Sequence, residues 1–170
     1  MSAAKSAKSG LAVCSQLALG NTQSATYSAT FVLELCVTLP SSPVNLVSIE
    51  TLVQFNAAWN RHDIDALMGF MAADCVFHGV AGPDLQGRSF VGREAVREGF
   101  MLAWQNFPDA QWLDGEHFVQ GERGVSESTF SGTRADGMCV EARMVDVFTF
   151  KDGKIAVKNA YRKDRPAFKP

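Results

Sequence analysis

The segment Met138–Phe150 alternates in character. Ala142, Met144, Asp146, Phe148 and Phe150 share one face of an extended strand, and Arg143, Val145, Val147 and Thr149 share the other. Asp146 is thus the one carboxylate in an aliphatic and aromatic row. If that face is turned from water, burial favours the neutral acid, which can give a proton or a hydrogen bond to an enolate oxygen near neutral pH. On a solvated face, or tied to Arg143 or Lys158, the same residue is an ordinary surface acid. Glu127 poses the same choice. It shares a strand face with Val125 and Thr129 and is either a second acid in a pocket or an ion-pair partner across the sheet. Two carboxylates in one cavity would separate into an acid and a base. His78 ends the apolar run Cys75-Val-Phe-His78 beside a glycine-rich loop, as a base at a pocket mouth or as a hydrogen-bonded structural group. Tyr161, the one tyrosine between residues 46 and 165, is a hydroxyl donor or a half-buried strand residue.

Other chemistries lack their residues. No G-x-x-x-x-G-K-[ST] phosphate loop is present, Gly124-Val-Ser126-Glu is not a nucleophile elbow, and no H-x-x-x-H pair suggests a metal. Cys14, Cys36, Cys75 and Cys139 form no C-x-x-C pair. Proton transfer at an activated carbon needs neither metal nor cofactor, and none is expected. Sixteen basic against eighteen acidic side chains leave a net charge of −2, without the basic field that nucleic acid would need. No apolar run approaches the ~18 residues of a membrane span.

The elements that must position these groups follow from periodicity. Residues 1–45 are rich in Ser, Ala and Thr and carry only Lys5, Lys8 and Glu34 as charges. They read as a disordered extension or a single edge strand at 30–38. An organelle-targeting peptide is an alternative, weakened by the lack of arginine. Otherwise a cytoplasmic protein is expected. The folded domain is placed at 46–165, with 166–170 as a tail. Ile49, Leu52, Val53, Phe55 and Trp59 recur at helical spacing after Ser48, a candidate cap. Asp63 caps a second helix carrying Leu67, Met68, Phe70 and Met71. His62 falls in the break between the two as a surface or capping residue. A loop spans 79–92, and a third helix spans 93–106, ended by Pro108. Strands at 110–120, 124–133, 138–150 and 154–164 follow, separated by turns that include Asp136-Gly137 and Asp152-Gly153. His117 lies on one of these strands, its face not fixed by the pattern. Trp59, Trp104 and Trp112 read as core or pocket wall, each indole needing one acceptor. Helices ahead of an antiparallel meander give an α+β fold, with the sheet wrapped over the helices around a ligand-sized cavity.

Four separated segments are familiar in this order. They are Phe55-Asn-Ala-Ala-Trp-Asn-Arg-His-Asp-Ile-Asp-Ala-Leu67, Met71-Ala-Ala-Asp-Cys-Val-Phe-His78, Gly92-Arg-Glu-Ala95 and Val145-Asp-Val-Phe-Thr-Phe-Lys-Asp-Gly-Lys-Ile155. Together they resemble the nuclear transport factor 2-like superfamily, and within it the SnoaL-like branch of polyketide cyclases, near the ketosteroid isomerases. The resemblance covers residues 48–165. It implies a conical α+β barrel: a curved, mostly antiparallel sheet around three N-terminal helices, with a deep apolar pocket and a homodimer through the sheet. Asp146 matches the acid/base aspartate of the cyclases and the hydrogen-bond-donating aspartate of the isomerases. The isomerase tyrosine falls at Phe55, which has no hydroxyl. The isomerase base falls at Gly79, next to His78. The arginine-and-aspartate set of the epoxide-hydrolase branch falls near Glu127, Thr129 and Asn159, where an amide can orient water but cannot act as base. The helix-one aspartate of the dehydratases falls at Asn60.

The expectation is a cofactor-independent acid/base enzyme of isomerase, cyclase or dehydratase type, acting on a hydrophobic carbonyl compound. Asp146 would lead, with His78, Glu127, Asn159 and Tyr161 assisting. Phe55, Trp59, Trp104, Met144, Phe148 and Thr129 would line the pocket. The alternatives are a non-catalytic ligand binder and a dimeric interaction module of the same fold.

Overall fold

The amphipathic rows of three helices need an apolar surface to cover, and the alternating strands supply one. A computed structural model describes residues 47–170. The extension and its strand at 30–38 lie outside the described residues. Helices α1 (Ile49–Asn60) and α2 (Ile64–Phe70) lead into strand β1 (Met71–His78). Strand β2 (Ser89–Val91) and helix α3 (Arg93–Asn106) follow. The chain then runs through β3 (Gln111–Gln120), β4 (Arg123–Thr133), β5 (Cys139–Lys151) and β6 (Lys154–Arg162).

The four-strand meander is present, and the sheet extends beyond it. Its order is β2-β1-β6-β5-β4-β3, with β1 parallel to β6 and every other pair antiparallel. The sheet is open, since its two edge strands do not pair. A three-residue β2 inside an irregular loop leaves no period to read, and β1 starts earlier than its apolar run suggests. Helix α2 runs directly into β1 with no glycine or proline after Phe70, and cations take the carbonyls at the junction. Arg93 donates to Met71 O at 2.8 Å and Met68 O at 2.9 Å, and Lys154 donates to Gly69 O at 2.7 Å. Asp63 caps α2 through Ala66 N at 3.0 Å, whereas Ser48 stands at the start of α1 with no side-chain bond.

The sheet separates its faces strictly. Gly124, Ser126, Ser128 and Phe130 of β4 and Ala142, Met144, Asp146, Phe148 and Phe150 of β5 are buried, and the residues between them are more exposed. Helix α1 packs on β3, and α3 packs on β1 and β2. Phe55 sits at the centre of the core with its ring edge-on to Phe70, Phe100, Phe148 and Trp59 at centroid distances of 5.8–6.3 Å. The β5–β6 turn has Asp152 at φ 51° and Gly153 at φ 75°, the positive pair of a two-residue hairpin. The segment expected as a tail is held, because Phe168 and Cys139 exchange backbone hydrogen bonds of 2.7 and 3.0 Å. Among the described residues no helix is long and apolar enough to cross a membrane.

Candidate active site in the hollow of the cone

The site begins with an irregularity in β6. Phe150 pairs with Ile155, but Thr149 pairs with Val157, so Ala156 is an extra residue. An unbroken register would set Lys158 opposite Val147, on the outer face. The bulge sets it opposite Phe148 instead and turns Lys158, Ala160 and Arg162 inward. Lys158 thereby reaches Asp146, with Nζ 2.6 Å from Oδ1. The two side chains are 2% and 9% exposed, and theirs is the one buried ion pair among the described residues. The ammonium also lies 5.0 Å from the Phe77 ring centroid and 5.5 Å from that of Trp59. Aromatic faces compensate part of the hydration that a buried cation gives up.

Lys158 lines a hollow of about 390 Å³, within the range of small-molecule sites. Its walls are Trp59, Phe77, Phe90, Trp112, Met144 and Ala160, with Arg88 and Asn106 as further polar side chains. The mouth is formed by the loop from Gly79 to Arg88, closed by Gly79 N to Arg88 O at 2.9 Å and Arg88 N to Ala81 O at 3.0 Å. Gly87 has φ 74°, and a side chain there would overlap the Gly79 carbonyl. Asp146 does not face the hollow and lies behind Lys158. Buried polar groups continue behind the pair. Ser126 stands opposite Asp146, and its Oγ is 2.8 Å from His117 Nδ1. Burial pushes the His117 imidazole below the ordinary histidine value. Among the described residues the indole N–H groups of Trp59 and Trp104 have no acceptor.

The remaining expected residues are dispersed. His78 points away from the hollow and meets Ser89 Oγ at 2.8 Å. Glu127, expected either in the cavity or paired across the sheet, is on the outer face, 3.4 Å from Arg143. Thr129 is on that face as well and accepts from Arg143 at 3.2 Å, so it is not a pocket wall. Asn159 and Tyr161 are also outside, with Asn159 Nδ2 donating to the Tyr161 hydroxyl at 2.7 Å. The bulge is the physical reason for the last two. Phe55 and Phe148 belong to the core beneath the hollow, while Trp59 and Met144 line it. Trp104 packs outside the lining, stacked on His62 at 5.0 Å, and His62 in turn bonds Ala110 O at 3.0 Å. Asn60 has a structural task that a carboxylate could not fulfil. It donates to Trp112 O at 3.0 Å and accepts from Trp112 N at 2.8 Å.

Lys158 was not among the site residues expected from the sequence, where it stood only as a tie for Asp146. The usable signal was hairpin counting from Asp152-Gly153, and the bulge defeats it. Among the described residues no three His, Cys, Asp or Glu side chains converge as a metal site.

An open, curved sheet over three helices, with a buried ion pair at the wall of a largely apolar hollow, defines an α+β cone fold. A family model described as a SnoaL-like domain matches residues 52–158, and the chain belongs to that family. Solved structures share the fold. A candidate polyketide cyclase from Xanthomonas campestris pv. campestris is 22% identical with a TM-score of 0.60, covering 67% of this chain and 88% of that one. Another from Pseudomonas putida is 20% identical, with a TM-score of 0.60 and coverages of 69% and 92%. A protein with a ketosteroid isomerase-like fold from Catenulispora acidiphila, in complex with trimethylamine, is 17% identical, with a TM-score of 0.59 and coverages of 68% and 86%. No curated protein matches the chain.

Two outcomes follow from the buried pair and the buried imidazole. Lys158→Met strands a buried carboxylate and should cost about 3–5 kcal/mol in urea unfolding, while Lys158→Met with Asp146→Leu should recover most of that loss. The unfolded His117 takes a proton near its ordinary pKa, and the folded one only at lower pH. Stability from this residue is therefore full above the ordinary histidine value and is lost as pH falls through the window below it. Thermal unfolding between pH 7 and 5 should show this fall, and His117→Gln should flatten it.

Proposed function

We propose that this SnoaL-like protein is a cofactor-independent acid/base enzyme of isomerase, cyclase or dehydratase type, acting on a hydrophobic carbonyl compound. The observation that carries the reading is Lys158 in the wall of a largely apolar hollow, with Asp146 bonded to it from behind. In this mechanism the ligand's apolar body displaces water from the hollow, and its carbonyl oxygen accepts a hydrogen bond from Lys158 Nζ. The enolate that forms when a neighbouring carbon loses a proton lies against the ammonium in a poorly solvated site, where such stabilisation is strongest. Asp146, in contact with the same nitrogen, first takes a proton from it, so that Nζ as the amine accepts the proton lost from carbon and is again the ammonium beside the enolate. The pair returns the proton to another carbon, to oxygen, or to the product of ring closure. Electrons stay within the substrate, so no redox partner is required. An oxygen that reaches the Trp59 indole would also satisfy its unpaired N–H.

A non-catalytic ligand binder is the second reading. It is favoured by Phe55, which stands at the isomerase tyrosine position and is buried in the core without a hydroxyl. The two readings separate in one measurement. In deuterated buffer the protein should accelerate α-deuteration of 2-tetralone, an apolar bicyclic ketone, as followed by NMR. Asp146→Asn and Lys158→Met should each lower that rate by about a hundredfold or more. Binding of 2-tetralone with exchange no faster than in buffer would leave the non-catalytic reading, and absence of both would remove the hollow as a carbonyl site.

The outer sheet face supports assembly of two copies. Leu113, Phe118 and Tyr161 are roughly half exposed there, beside Val125, Val145 and Val147. Sedimentation should give a dimer for the wild type and a monomer for Phe118→Lys, and a monomeric wild type would sink this assembly.

A further inference from the structure

The β6 bulge turns three side chains inward, and two of them already have a place in the site. Lys158 is neutralised by Asp146, and Ala160 lines the hollow. Arg162 lies four residues beyond Lys158, about 13 Å along the strand. It pairs in register with Met144, a wall of the hollow, and its guanidinium sits 5.1 Å from the Phe130 ring centroid. Arg162 forms no ion pair among the described residues. Burial pushes its guanidinium below the ordinary arginine value, opposed by nearby Asp164. Arginine still keeps its proton, so a partly desolvated cation is left without a partner.

The space in front of Arg162 is a second depression of about 490 Å³. It shares Val80 and Ala81 with the hollow, so the two adjoin at the mouth loop. Its other charged residues are Arg134, Lys163, Asp164 and Arg165. Arg134 is held by Asp136 at 3.1 Å and Arg165 by Glu141 at 3.2 Å. That leaves Arg162 and Lys163 facing one acid, Asp164, and a surplus of positive charge. The planar guanidinium fork matches an oxyanion with two or three equivalent oxygens.

We infer that the ligand is an amphipathic anion, whose apolar body fills the hollow and whose carboxylate-like headgroup sits on Arg162 at the rim. This rests on the hollow's being a small-molecule site and adds the substrate class. The spacing then fixes orientation: the reacting carbonyl enters first, towards Lys158, and the anionic end remains at the mouth.

Two fluorescent probes with one aromatic frame test this. 1-Anilinonaphthalene-8-sulfonate carries an oxyanion, and N-phenyl-1-naphthylamine does not. The wild type should bind the sulfonate at least about tenfold more tightly, an advantage that shrinks as salt is raised. Arg162→Gln should abolish the advantage and leave the neutral probe's affinity unchanged, and Arg162→Lys should keep part of it. Arg143→Gln, on the outer face, should alter neither. Equal binding of the two probes by the wild type would overturn the anion site while leaving the hollow intact. So would an advantage that survives Arg162→Gln or vanishes in Arg143→Gln. Failure of both probes to bind would remove the hollow and this inference together. Should Arg162→Gln not fold, Arg162→Lys and the wild-type salt titration decide.

Discussion

A charge withdrawn from water must find its opposite, and here the requirement is met once, between Asp146 and Lys158. Neither residue could occupy the inner face alone at reasonable cost, because an unpaired carboxylate or ammonium in that setting loses its hydration without return. Each licenses the other. The pair therefore ties β5 to β6 on the inner face and keeps a charged centre at the wall of a largely apolar cavity. The aromatic rings of Phe77 and Trp59 complete the enclosure.

The rest of the architecture serves to keep that centre dry yet reachable. The Phe55 cluster packs ring edges on ring faces in the core, and Phe55, Phe100 and Phe148 are not among the residues that line the hollow. Side-chain amides fix the helices to the sheet. Asn60 reproduces a strand's pairing pattern with the backbone of Trp112, and Asn56 adds a bond to the same carbonyl at 3.2 Å. Arg93 joins α3 to the end of α2. The polar groups of the interior divide accordingly into those that hold elements together and the few that face the hollow.

Most of the fold was legible because it is written in period. The helical rows, the alternation of β4 and β5 and the Asp-Gly turn each specify an element locally, and four ordered segments tie them to a family. The candidate site was less legible, because it depends on where strands sit relative to one another. Alternation alone put Asp146 among Met144 and Phe148. It could not say which face of β4 carries Glu127, and nothing in the β6 residues announces the extra residue at Ala156 that places Lys158. Glu127 and Arg143 were found paired on the solvated side, a bond that satisfies both without burial.

The Ala156 bulge has an evolutionary implication. Strand β6 carries two complete sets of side chains, a cationic one (Lys158, Arg162) and a neutral polar one (Asn159, Tyr161), on opposite faces. Flattening the bulge with every residue retained would set Lys158 opposite Val147 and exchange the two sets, presenting an amide and a phenol to the cavity and leaving Asp146 without its counter-ion. Relatives of this chain could thus change the electrostatic character of their interior through the presence or absence of a bulge rather than a series of point substitutions, with the same hairpin turn and the same outer dimensions.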